Sequence, residues 1–273
     1  MPPLPPPGGR RRLLLLVAGG VLAAASLTVA LVALLKGGDE KGPSDTARPT
    51  GTSTASSEPS SAPADSTAAR ARAHTLALRV VLAPEDWAPD HKRSDPYQQD
   101  PASEYEVSQD CKGFVQANRS GTLAAVSRSV TYPEANLTLT GTSDVRVFAD
   151  VRTAEVYMAD AQETTRRCPV QQSGKSRWSG VRQAGEPAVT GFDEVMAEEG
   201  TQSADADGKT TDYPYVVYTG RSGDTVLSVF ALESRARAKL LPPRATAALQ
   251  KLQQRLVTAR GGATPQAGPP DTA

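Results

Sequence analysis

The chain has 273 residues, with 30 Lys plus Arg balanced by 30 Asp plus Glu, so no net field draws it to nucleic acid or anionic lipid. Aromatic residues make up only 5%, and Ala, Gly, Pro, Ser and Thr crowd both ends; setting the ends aside leaves roughly 190 residues, enough for one core of ordinary size. No Lys/Arg run interleaved with aromatics occurs in that middle, which excludes nucleic acid as an expected partner.

Residues 1–12, MPPLPPPGG followed by Arg10, Arg11 and Arg12, are expected to form a short cytoplasmic tail. Its prolines read as a P-x-x-P ligand or as a solvated stub. Residues 13–35, LLLLVAGGVLAAASLTVALVALL, carry no charge. As a helix rising ~1.5 Å per residue they reach about 34 Å, which covers a hydrocarbon core of ~30 Å. The three arginines precede this segment, while Lys36, Asp39 and Glu40 come after it. The positive-inside rule therefore places the N-terminus in the cytoplasm and the rest outside, as a single-pass protein of the cell membrane. A cleaved signal peptide is the competing reading, because Ala23-x-Ala25 precedes Ser26. The apolar run continues to Leu35, past a normal signal core, and favours retention. Both readings export the downstream chain.

Residues 36–73 lack large apolar side chains and read as a disordered stalk, unable to offset the entropy of ordering. Residues 74–260 carry the periodic patterns and are expected to form the extracytoplasmic domain; residues 261–273 read as a second disordered tail. A helix is expected over 76–82, before Pro84. Strands are expected over 123–132 and 137–148, where Leu137/Leu139 and Val145/Val147 alternate with polar residues; residues 133–136 supply the turn. Asp150 reads as the N-cap of a helix to about Arg167, with Ala154, Tyr157, Met158, Ala161 and Thr165 on one stripe. Further strands are expected over 178–189, 192–199, 213–219 and 225–232, the last two joined by the hairpin loop GRSGD. A final helix starts near Pro242 or Pro243, buries Ala245, Ala248, Leu249, Leu252 and Leu256, and stops at Gly261. Short connections favour antiparallel neighbours, so the expected fold class is α+β: one twisted antiparallel sheet with flanking helices, preceded by a single transmembrane helix.

Cys111 and Cys168 are the only cysteines. In an exported domain an even count favours pairing, and a loop of roughly 57 residues closed this way is worth ~4 kcal/mol in the chain-entropy model. Two free thiols, one nucleophilic, are the alternative.

The catalytic inventory is thin. Only two histidines occur, His74 and His91. The string GRSG around Ser222 lacks the final glycine of a nucleophile elbow and sits between two strands. Asp205, Asp207 and Gly208 suggest a calcium loop, but with Gly208 at the sixth position the twelfth is Pro214 and the bidentate Glu is missing; a D-G turn is the competing reading. No cofactor or metal is expected. Glu194, Glu198 and Glu199 are candidate acid–base carboxylates, although Glu198 and Glu199 point to opposite faces of a strand. Asn118-Arg119-Ser120 and Asn136-Leu137-Thr138 match the glycosylation sequon.

The segments DCKGF, VRVFADVRTAEVYMADAQETTRRCP, RWSGV, DYPYVVYTGRSGDTVLSVFAL and ALQKLQQRLV, in that order, resemble the extracellular sensor domains of PknH-type serine/threonine kinases and the stand-alone exported actinobacterial proteins that share them. The resemblance covers residues 76–259. It implies an antiparallel sheet flanked by helices, with a cleft that takes an extracellular ligand. Those kinase domains typically carry two disulfides, whereas this chain can form one, and the kinase itself is expected to be absent.

The expected function is that of a membrane-anchored, non-catalytic, sensor-like domain binding an envelope ligand or partner protein. Trp178, Glu198 and Tyr218 are its candidate cleft-lining residues, with core packing as the competing reading of the two aromatics. The rival functions are a structural or accessory envelope protein without a small ligand, and an exported hydrolase whose site is assembled from scattered residues.

Overall fold

The computed structural model describes residues 62–132, 140–174, 176–206 and 209–261. The expected transmembrane segment, residues 36–61 of the stalk, the turn at 133–136, Asp207, Gly208 and the tail from 262 lie outside these. Among the described residues no helix is long and apolar enough to cross a membrane.

The first helix, α1 (Ala62–Val80), is longer than expected. It begins inside the sequence expected to be stalk, because Ala is the strongest helix former and needs no large side chain to pack closely: Ala73 and Ala77 are buried together with Val80, Val81 and Leu82. A single turn, α2 (Pro84–Trp87), comes next. Strand β1 (Lys92–Gln99) precedes the hairpin of β2 (Glu104–Val107) and β3 (Gly113–Gln116). None of these three was read as a strand: β1 is largely polar, and β2 and β3, at four residues each, are too short for a period to stand out.

From there the chain follows its periodicity more closely. Strands β4 (Thr122–Thr131) and β5 (Gly141–Phe148) lead into α3 (Val151–Arg167). Asp150 caps α3 as expected, its Oδ1 accepting from the Thr153 backbone N–H at 2.7 Å. Strands β6 (Val170–Ser173) and β7 (Ser176–Gln183) precede the long pair β8 (Glu194–Ala206) and β9 (Lys209–Ser222). The strand expected over 178–189 thus ends at Gln183, and the one expected over 192–199 runs on to Ala206. Strand β10 (Thr225–Leu232), a 3-10 helix (Arg235–Leu240) and α4 (Leu241–Ala259) complete the domain.

Eight strands form one antiparallel sheet in the order β1-β4-β5-β10-β9-β8-β7-β6, while β2 and β3 form a separate pair. The α+β class read from the pattern is the observed one. One face of the sheet is apolar. Ala124 and Val126 of β4, Val145 and Val147 of β5, Val216 and Tyr218 of β9, and Leu227 and Val229 of β10 bury against α1 and α4. From α4 the expected stripe Ala245, Ala248, Leu249, Leu252 and Leu256 closes this core. Truncating Leu252, which is fully buried, to Ala is expected to lower the unfolding free energy by ~2–5 kcal/mol; equilibrium urea denaturation checks this, and a loss under ~1 kcal/mol would mean that α4 is not part of the cooperative core.

Candidate ligand-binding cleft

Alternation along the strands sends the other set of side chains to the opposite face of the sheet, and there the sequence is polar. Ser127 and Ser129 of β4, Thr142 and Asp144 of β5, Thr219 of β9 and Ser228 of β10 form a hydroxyl-rich floor. Cross-strand partners satisfy one another: Ser129 and Thr142 lie 3.2 Å apart, Thr219 and Ser228 3.0 Å. Helix α3 covers part of this face through Phe148, Ala154, Met158, Met196 and Val226. The β2–β3 hairpin stands over the rest. Between floor, helix and hairpin lies a cleft of about 840 Å3.

The hairpin owes its position to the disulfide. Cys111, in the turn between β2 and β3, is bonded to Cys168, the C-cap residue of α3. Cys111 holds a left-handed backbone (φ 61°), which costs a residue bearing a Cβ on the order of 1 kcal/mol. The join is reinforced by Gln172 N–H donating to the Cys111 carbonyl at 3.2 Å and by Arg167 Nη2, which lies 3.3 and 3.4 Å from the carbonyls of Val107 and Ser108. Gly113 leaves room for the Tyr105 ring, whose hydroxyl occupies the space a Cβ would need.

Two guanidiniums organise the wall beside α3. Arg119 donates through Nε to Glu104 at 2.8 Å and through Nη1 to Asp160 at 2.8 Å. Arg146, buried on β5, is paired with Asp144 at 3.0 Å and donates to the Ser103 carbonyl at 2.7 Å and to Asn118 Oδ1 at 2.5 Å. Both cations lie against the Tyr157 ring, at 4.9 and 5.9 Å from its centroid. Burial pushes the Asp144 carboxyl up, opposed by Arg146. Asn118, flagged as a sequon, has its amide engaged in this wall, with Nδ2 on the Ala102 carbonyl at 2.9 Å.

Of the three candidate lining residues, only Glu198 lines the cleft. Its Oε2 accepts from Thr165 Oγ1 at 2.6 Å and its Oε1 from Tyr215 OH at 3.0 Å. Desolvation raises its pKa against these two donors, and burial with the nearby Glu198 charge pushes the Tyr105 phenol up to about 12. Trp178 packs behind the wall, its ring 5.8 Å from that of Tyr105, in a cluster with Val181, Tyr215 and Leu232. Tyr218 faces the opposite way, into the core under α1 and α4. Core packing is therefore where the structure places both aromatics. The lining residues that sequence reasoning missed are Glu104, Arg119, Asp144, Arg146 and Tyr157. Tyr157 and the strand parity of Asp144 and Arg146 were visible, but polar strand residues read as solvated until something covers them.

Both histidines lie away from the cleft. His74 pairs with Asp100 at 2.8 Å on the surface. His91 is buried between Trp87 and Tyr132, with its pKa lowered by desolvation and by Arg244. Strand β9 runs through Ser222 and β10 opens at Thr225, so Gly220, Arg221 and Ser222 are strand residues and the hairpin turn is only Gly223-Asp224, shorter than the expected GRSGD loop. Strands β8 and β9 pair as far as Ala206 and Lys209; Asp207 and Gly208, the residues of the expected calcium loop or D-G turn, lie outside the described residues.

No family model matches the chain, and no curated protein does. Among solved structures it is similar to the extracellular domain of PknH from Mycobacterium tuberculosis, at 11% identity and a TM-score of 0.41, over 68% of this chain and 96% of that one. A likeness this distant leaves the chain's own geometry to carry the functional reading.

Removing the bridge with Cys111→Ala and Cys168→Ala is expected to cost up to ~4 kcal/mol globally. Hydrogen exchange should show residues 104–116 losing protection ahead of the central strands; uniform loss would mean that the hairpin is held by its other contacts. For Glu198 the raised pKa sets a sign: the group contributes least penalty below its ordinary value of 4.5 and destabilises the fold as pH rises through the shifted value. Glu198→Gln is therefore expected to gain stability over the parent as pH rises above 4.5, with the gap closing below that value. Denaturation at several pH values checks this, and a gap that is constant or inverted would contradict it.

Proposed function

We propose that this chain is a membrane-anchored extracytoplasmic binding domain, non-catalytic, whose cleft takes an envelope ligand or a protruding group of a partner protein. The observation that carries the reading is the cleft itself: an internally satisfied polar floor, covered by a hairpin that a disulfide ties to the end of α3. A sheet face meant only for solvent needs no such cover. Clefts of ~300–1,000 Å3 lined by apolar surface and a few placed polar groups are the usual form of small-ligand sites. The bridge suits an oxidising compartment, in keeping with the apolar segment at residues 13–35 and the arginines before it. The position of both histidines outside the cleft favours binding over histidine-based hydrolysis.

The test is hydrogen exchange on the full chain with fractionated envelope extract. Protection is expected over residues 104–116 and the last turn of α3. Protection confined to the surfaces of α1 and α4 would favour the accessory-protein reading and sink this one.

A further inference from the structure

The cleft is unevenly charged. Six carboxylates and three guanidiniums line it, and two of the three guanidiniums are held in ion pairs. Arg119 is shared by Glu104 and Asp160, Arg146 is held by Asp144, and Arg167 is committed to the carbonyls of the hairpin. Arg167 alone of the three has no carboxylate partner among the described residues, and its buried Nε donates to no acceptor there, so an anionic probe tests the opposite charge preference. Glu198 is in the reverse position: its contacts are the two hydroxyls of Thr165 and Tyr215, and no ion pair to it forms among the described residues.

Its surroundings are apolar. Met196 lies two residues earlier on the same face of β8, and Val217 is its register partner on β9; both line the cleft with it. Each carboxylate oxygen accepts one hydrogen bond and has a further lone pair for another donor. A half-buried carboxylate without a counter-charge is unfavourable in the free protein, and a cation placed beside it in a low-dielectric site gains far more than it would in water. The hairpin part of the cleft lining includes Phe114 and Val115, among the most exposed large apolar side chains described, at 41% and 44%.

On the premise that the cleft is the binding site, we propose that it takes an organic cation, an alkylammonium group seated on the Glu198 carboxylate with its apolar body against the hairpin. Such a group could belong to a free amine or to a lysine side chain of an envelope peptide, and both share this chemistry.

The test is isothermal titration of the full chain with three probes of one shape: tyramine, its neutral alcohol analogue tyrosol, and the anion 4-hydroxyphenylacetate. N-acetyl-lysinamide serves as the fourth probe. Tyramine is expected to bind at least about tenfold tighter than tyrosol, with the anion weakest, a ratio in the range that one buried charge pair supplies. Glu198→Gln should abolish the preference, while Glu199→Gln, on the opposite face and paired with Arg182, should keep it. Tighter binding of tyramine than of N-acetyl-lysinamide assigns a free amine, and the reverse order assigns a lysine side chain; either supports the ammonium. Equal binding of tyramine and tyrosol, no binding by any probe, or a preference that survives Glu198→Gln overturns the charge assignment. Hydrogen exchange on the same samples separates the two readings. Neutral-probe protection within the cleft retains the binding site without the cation, whereas protection only elsewhere removes both.

Discussion

An eight-stranded antiparallel sheet whose two faces differ in chemistry is the constraint on which the rest of the molecule depends. Burying apolar surface drives folding, so the face that carries Val126, Val145, Val147, Val216, Leu227 and Val229 must be covered, and α1 and α4 cover it. The opposite face offers little apolar area to a covering element. Helix α3 finds enough around Phe148, Met158, Met196 and Val226 to dock over one part of it. The β2–β3 hairpin has less to bury, with Phe114 and Val115 left exposed, and its placement depends on a covalent tie.

That division explains why the bridge lies where it does. A disulfide between two strands of the main sheet would add to a region already held by hydrogen bonds and core packing. Between the hairpin turn and the C-cap of α3, it joins the weakest-packed element to the element that shapes the cleft. The polar contacts of Arg167 and Gln172 with the hairpin, the latter to Cys111 and Lys112 in its turn, gather around the same point.

The cleft wall also shows how a partly closed site can hold charge. Buried charges persist when paired and hydrogen-bonded, and Arg146 meets that condition through Asp144, Asn118 and Ser103. Arg119 does so through Glu104 and Asp160. Tyr157 lies beneath both guanidiniums and spaces them. Glu198 departs from this pattern, and a site that departs from the stability optimum is where function is to be sought.

The chain's periodicity by itself determined the α+β class, the Asp150 cap, the buried stripe of α4 and the strand pair that ends in GRSGD, because each rests on local spacing or on a residue with one strong backbone preference. It also narrowed the two cysteines to a pair. It could not determine β1, which becomes a strand only by pairing with β4, distant in sequence, nor the four-residue strands β2, β3 and β6, which are too short to show a period. Nor could it tell which polar face was solvated and which was roofed: Arg119 and Arg146 look like surface residues until the hairpin and α3 close over them. Trp178 and Tyr218 were ambiguous for the same reason, and tertiary packing placed one behind the cleft wall and the other in the opposite core. Periodicity reports which side chains share a face; what lies across from that face is decided by contacts between segments far apart in the chain.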